Sequence, residues 1–135
     1  MELKKLGPYV FLGGFIIALL VGLAGQNLDP DTYALFLGIL GVLGLVVGFV
    51  NITDKEVVAF LVAVIALLQV QTSLTVLTSL PVMVDVLPFV TAIVAALVIF
   101  LLPAAFVVAL KTIYDLAGER AFETVEGKVF GKKRR

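Results

Sequence analysis

Four apolar stretches, residues 8–24, 33–50, 57–77 and 89–110, fill most of the chain, and none contains a Lys, Arg, Asp or Glu. A helix needs about 20 apolar residues, with a range of about 17–25, to cross a bilayer core, so each stretch is long enough to span. The charges outside them fall in a one-sided pattern. Lys4 and Lys5 precede the first stretch, Lys55 separates the second from the third, and Lys111, Arg120, Lys128, Lys132, Lys133, Arg134 and Arg135 follow the fourth. The other two connections carry only Asp29, Asp31 and Asp85. Basic residues stay on the cytoplasmic side of a membrane protein, which predicts both termini and the Lys55 turn there. The expected fold is therefore all-α: a polytopic four-transmembrane-helix bundle, N-in and C-in, localised to the membrane.

Composition agrees. Hydrophobic residues make up 61% of the chain, charged residues 15%, and the mean hydropathy is +1.18, whereas soluble domains hold about 45–50% apolar and about 25% charged residues. The formal net charge of zero gives no drive toward nucleic acid, and none is expected as a partner. Cysteine and histidine are absent, which removes thiolate and imidazole chemistry together with the commonest general base. Tyr9, Tyr33 and Tyr114 all sit near predicted membrane boundaries.

The first stretch has a basic start and a small-x-small end at Gly22, Leu23 and Ala24. Its apolar run of about 17 residues exceeds the ~7–15 of a cleaved signal, so it reads as a retained helix. Asn27 to Asp31 has turn chemistry, with Asp31 or Thr32 expected to cap the second helix and Pro30 just outside it. Thr53 and Glu56 have the spacing of a capping box for the third helix, with Thr53 as the cap and Glu56 at the third helical position. So short a turn predicts an antiparallel hairpin of the second and third helices. The outer connection, residues 79–87, is punctuated by Pro81 and followed by Pro88, and reads as interfacial, either irregular or a short re-entrant turn. Pro103 removes a donor for the carbonyl of Ile99 and predicts a kink.

Beyond the fourth stretch the helix is expected to run to about Ala117 and break at Gly118. That divides the chain into a transmembrane domain, 1–117, and a cytoplasmic tail, 118–135. Ala121, Phe122, Val125 and Val129 suggest a short amphipathic helix lying on the inner leaflet. Lys128, Lys132, Lys133, Arg134 and Arg135 form an acid-free end suited to anionic lipid.

Small residues form the most regular pattern within the spans. Gly14, Ala18 and Gly22 recur at spacing four. Gly38, Gly41, Gly44 and Gly48 put glycine on more than one face of the second helix. Ala59, Ala63, Ala66 and Ser73 lie along the third. Lipid offers no hydrophobic drive between helices, so close backbone approach supplies the attraction instead. Such stripes suit packing within the bundle or between copies.

The outer half of the third span is polar, with Gln69, Gln71, Thr72, Ser73 and Thr75. Gln69 lies ~18 Å along the helix from Val57 at ~1.5 Å per residue, still inside a core ~30 Å thick. An amide at that depth needs another helix or water as a partner. No ionisable side chain lies at depth, no nucleotide or hydrolase motif is present, and no cofactor or catalytic residue is expected. The sequence thus points to a non-catalytic structural or accessory subunit, packing against copies of itself or another membrane protein. The alternative is a small oligomeric channel lined by the outer half of the third helix.

Overall fold

The computed structural model describes residues 3–50, 52, 55–83 and 85–131. Four helices follow one another: α1 (Leu3–Ala24), α2 (Pro30–Val50), α3 (Val57–Leu77) and α4 (Leu87–Gly131), with a 3-10 turn, Pro81–Met83, ahead of α4. All four are long and apolar enough to cross a membrane.

The helices are organised around α4. It packs against each of the other three, while α1 also packs on α2. Its most apolar window is 56% buried, against 17% for that of α3. The main core joins Ala18 and Val21 of α1, Leu40 and Val47 of α2 and Val64 of α3 to Ala96, Leu97, Phe100 and Leu101 of α4. Phe100 is fully buried at its centre. The Phe11 ring lies 6.0 Å from that of Phe100 and meets Phe60 edge-on at 6.5 Å, which ties α1 to both α4 and α3. A second, smaller core joins Leu74 of α3 to Leu87, Val94 and Val98 of α4. No polar or charged residue is buried among those described.

Four expectations need correction. The second and third helices do not form a closely packed hairpin: α2 and α3 scarcely meet, because α4 takes the place between them. An apolar groove of about 550 Å³ remains there, walled by Leu45 of α2, Leu61, Ile65 and Leu68 of α3, and Pro103 and Phe106 of α4. The third helix also starts later than a Thr53 cap predicts. Glu56 itself is the N-cap and makes no side-chain cap bond, while Thr53 lies outside the described residues. At α2 the cap is Asp29, not Asp31 or Thr32. Its Oδ2 accepts a 3.0 Å hydrogen bond from the Thr32 amide, and Pro30 is the first helical residue, where its missing N–H costs nothing.

The fourth correction concerns Gly118. Helix α4 continues through it for 45 residues in all, so the expected break and separate surface helix are not found. A helical glycine costs only about 1 kcal/mol, and Leu116, Ala117, Glu119, Arg120 and Ala121 around it are helix formers or nearly so. Pro103 likewise interrupts neither the helical assignment nor the packing of its neighbours Ala104 and Ala105, which are buried.

Candidate packing and interaction surfaces

The small residues of α1 and α2 divide into those that touch α4 and those that touch nothing. Gly14 lies under the ring of Phe100, and a Cβ there would run into it. Ala18 is fully buried, and a Cβ on Gly22 would lie 2.5 Å from the Ile93 Cα. On α2, Gly44 abuts the backbone carbonyl of Phe100, and a Cβ on Gly48 would come within 2.8 Å of the Ala104 backbone. These five positions let α1 and α2 approach α4 nearly backbone to backbone. Gly38 and Gly41 are different: a Cβ at either would find nothing within 4 Å.

Helix α3 carries the polar arc. Its hydroxyls turn back onto their own helix: Thr72 Oγ1 donates to the Leu68 carbonyl at 3.1 Å, Ser73 Oγ to that of Gln69 at 3.0 Å, and Thr75 Oγ1 to that of Thr72 at 2.6 Å. Thr78 and Ser79 do the same, at 2.7 and 2.6 Å. Such back-bonding satisfies a hydroxyl without a second helix. The glutamines have no equivalent. Among the described residues neither the Gln69 nor the Gln71 amide has a hydrogen-bond partner. Gln71 is half-buried, and Gln69 is exposed. The structure therefore brings neither onto a neighbouring helix.

The remaining charged groups lie off the spans. Asp29 has its carboxyl held below the ordinary aspartate value, chiefly by the hydrogen bond from the Thr32 backbone and secondarily by the Thr32 side chain. Beside the start of α3, the part of α4 beyond the bundle forms an open recess of about 1170 Å³ where Asp115, Glu119, Glu123 and Glu126 surround Phe122. Lys128 is exposed on the last turns of α4, and Lys132, Lys133, Arg134 and Arg135 lie outside the described residues. No group of three or more potential metal ligands occurs among the described residues.

Two kinds of position on these surfaces carry no local signal in the sequence. Phe100 was one apolar residue among many in the most hydrophobic span, and nothing local marks it as the point where three helices meet. Val62 and Val76 were hidden for the opposite reason: an exposed valine in a membrane span carries no signal alone. Their spacing to Ala59, Ala66, Gln69 and Ser73 was the available clue. No known protein family matches the chain, and neither does any curated protein or solved structure.

Proposed function

We propose that this chain is a multi-pass membrane protein with both termini cytoplasmic, working through helix–helix packing as a structural or accessory subunit. The carrying observation is the contrast between an apolar interior and an exposed Gln69 amide with no partner among the described residues. Hydrocarbon supplies no hydrogen bonds, so an unpaired amide at depth costs several kcal/mol. Another polypeptide that supplies the missing partner removes that cost. Among the described residues no titratable or nucleophilic group is buried, and packing is the work that this surface is suited to.

Topology is tested by labelling. Asn27→Cys and Asp85→Cys should react with an impermeant thiol reagent on intact cells, and Lys55→Cys only after permeabilisation; the reverse pattern overturns the orientation. Assembly is tested by native migration in mild detergent, where Gln69→Leu should run as a smaller species than the parent chain. Equal migration of the two counts against the packing role.

A second reading draws on the same surface. Gln69, Thr72, Ser73 and Thr75 are all exposed, so several copies arranged with α3 inward would line a neutral polar path. Solute flux into liposomes that is abolished by Gln69→Leu would favour this channel; assembly without flux favours the subunit.

The cationic C-terminal end retains its proposed role with anionic lipid, under a stricter geometric condition. Along an unbroken helix Lys128 is ~27 Å beyond Leu110, about three Debye lengths at physiological salt. Attraction to the inner leaflet therefore requires the extension to lean onto the surface, with Phe122, Val125 and Val129 toward the lipid. Spin-label mobility near Lys128 should fall on adding anionic lipid and recover in high salt.

A further inference from the structure

Six residues of α3 recur at alternating spacings of three and four: Ala59, Val62, Ala66, Gln69, Ser73 and Val76. At 3.6 residues per turn such a series makes one stripe, the seam of a coiled coil. All six are exposed. The stripe faces away from the side of α3 that is spoken for, since Val64 joins the main core and Leu74 packs with Leu87, Val94 and Val98 of α4.

Its composition is ordered. One position of each heptad is small, with Ala59, Ala66 and Ser73. The other holds Val62, Gln69 and Val76. Small residues at spacing seven allow two backbones to approach, and a polar side chain between them supplies a hydrogen bond that fixes register. Ser73 has no donor left for it, because its hydroxyl donates to the Gln69 carbonyl, and it can serve there only as an acceptor. The Gln69 amide has no bond within the described chain.

A carboxamide both donates and accepts, so Gln69 is complementary to itself. Depth selects the partner. Two copies inserted the same way hold Gln69 at the same level, ~18 Å along α3 from Val57, whereas an antiparallel or unrelated helix matches that level only by coincidence. The small residues of α2 that lie off α4, exposed Ala34 and Gly38 and half-buried Gly41, bring no polar group that demands a partner. The groove between α2 and α3 is lined by hydrocarbon, which lipid tails can fill.

We propose that the outward stripe of α3 is a homotypic interface, along which two copies pair in parallel with their Gln69 amides hydrogen-bonded across the seam. This rests on the membrane-spanning reading above and names its partner as a second copy of the chain.

The chain has no cysteine, so single cysteines in the full-length protein map the contact in native membranes. Under mild oxidation Val62→Cys, Ala66→Cys and Ser73→Cys should form same-residue dimers, while the exposed off-stripe variants Ala63→Cys and Thr72→Cys should not. In liposomes, dilution measured by energy transfer between labelled copies should show Gln69→Leu weakening the pair by about 3- to 20-fold, the range expected for an interhelical hydrogen bond in lipid. Gln71→Leu, off the stripe, should leave it unchanged. Cross-linking with no three–four periodicity, or Gln69→Leu pairing as well as the parent, overturns the proposal. Absence of all cross-links from a chain that co-purifies with a different membrane protein overturns the homotypic pair and leaves the accessory-subunit reading standing.

Discussion

Helices α1 and α3 each carry a line of small residues, and the fold treats them in opposite ways. Gly14, Ala18 and Gly22 of α1 are pressed against α4, with the Phe100 ring and the Ile93 backbone where their side chains would be. Ala59, Ala66 and Ser73 of α3 face outward. Both lines permit close approach, so the small residues alone do not say who approaches. What differs is the company they keep. The α1 stripe is apolar and is completed by a phenylalanine from within the chain; the α3 stripe holds an amide with no partner among the described residues. In a bilayer the unpaired hydrogen-bonding group, more than the small residue, marks a surface that expects something else.

The largest effects should come where the comparison says the space is already taken. Gly44→Leu and Gly48→Leu would drive side chains into the α4 backbone at Phe100 and Ala104. Neighbouring backbone cannot move aside as a flexible side chain can, so both variants should lose the native bundle, seen as collapse of the thermal transition in detergent. Retention of the parental transition in either would break the assignment of α4 as the centre.

Phe100→Ala comes next. Removing a fully buried phenylalanine costs about 3–5 kcal/mol through lost contact and residual cavity, and here the cavity opens beneath Gly14 and beside Phe11. Reversible unfolding in mixed detergent should register the loss in full, while the cross-linking pattern of α3 stays as in the parent. Independent responses of core and seam would sharpen the contrast between the two helices.

Asp29→Ala should lower the melting temperature less than Phe100→Ala does, because it removes only exposed cap bonding to Thr32. The pH dependence has a definite sign. The folded carboxyl is held below its ordinary value, so its contribution is present above the unfolded pKa and disappears as pH falls through the folded one. Parent and Asp29→Ala should therefore converge in stability under acid and differ at neutral pH.

The smallest effect is expected at Gly38 and Gly41. A Cβ at either meets nothing, and alanine favours a helix over glycine by about 1 kcal/mol or less. Gly38→Ala and Gly41→Ala should be neutral or slightly stabilising, with oligomeric state unchanged. A change in assembly from either would transfer the interface from α3 to α2.

Much of this arrangement could be read from the residues themselves. The ends of three spans, at Ala24, Val50 and Leu77, agree with the helix ends, because charged and turn residues bracket the apolar runs sharply. The centrality of α4 could not be read the same way. Where a helix is apolar on every face, as α4 is through its span, periodicity does not separate a core face from a lipid face, and the deciding contacts lie between residues far apart in sequence, such as Gly44 with Phe100. The end of α4 was misjudged because one glycine among helix formers is a weak stop. At the surface of α3 the heptad spacing was present in the sequence from the start. That it faces outward, and that Gln69 is left without a bond while the nearby hydroxyls serve themselves, depends on where α4 sits.

The most direct test measures the distance between copies at the seam. Val62→Cys, two helical turns from Gln69 on the stripe, can carry a nitroxide without replacing the amide. Pulsed dipolar spectroscopy in liposomes should then return one short, narrow distance between labels that persists as the protein is diluted with lipid. In the Gln69→Leu background that distance should fade at much higher protein density. A broad distribution that tracks the protein-to-lipid ratio in both backgrounds would mean that copies meet only by chance, and that the outward face of α3 is not where this protein finds its partner.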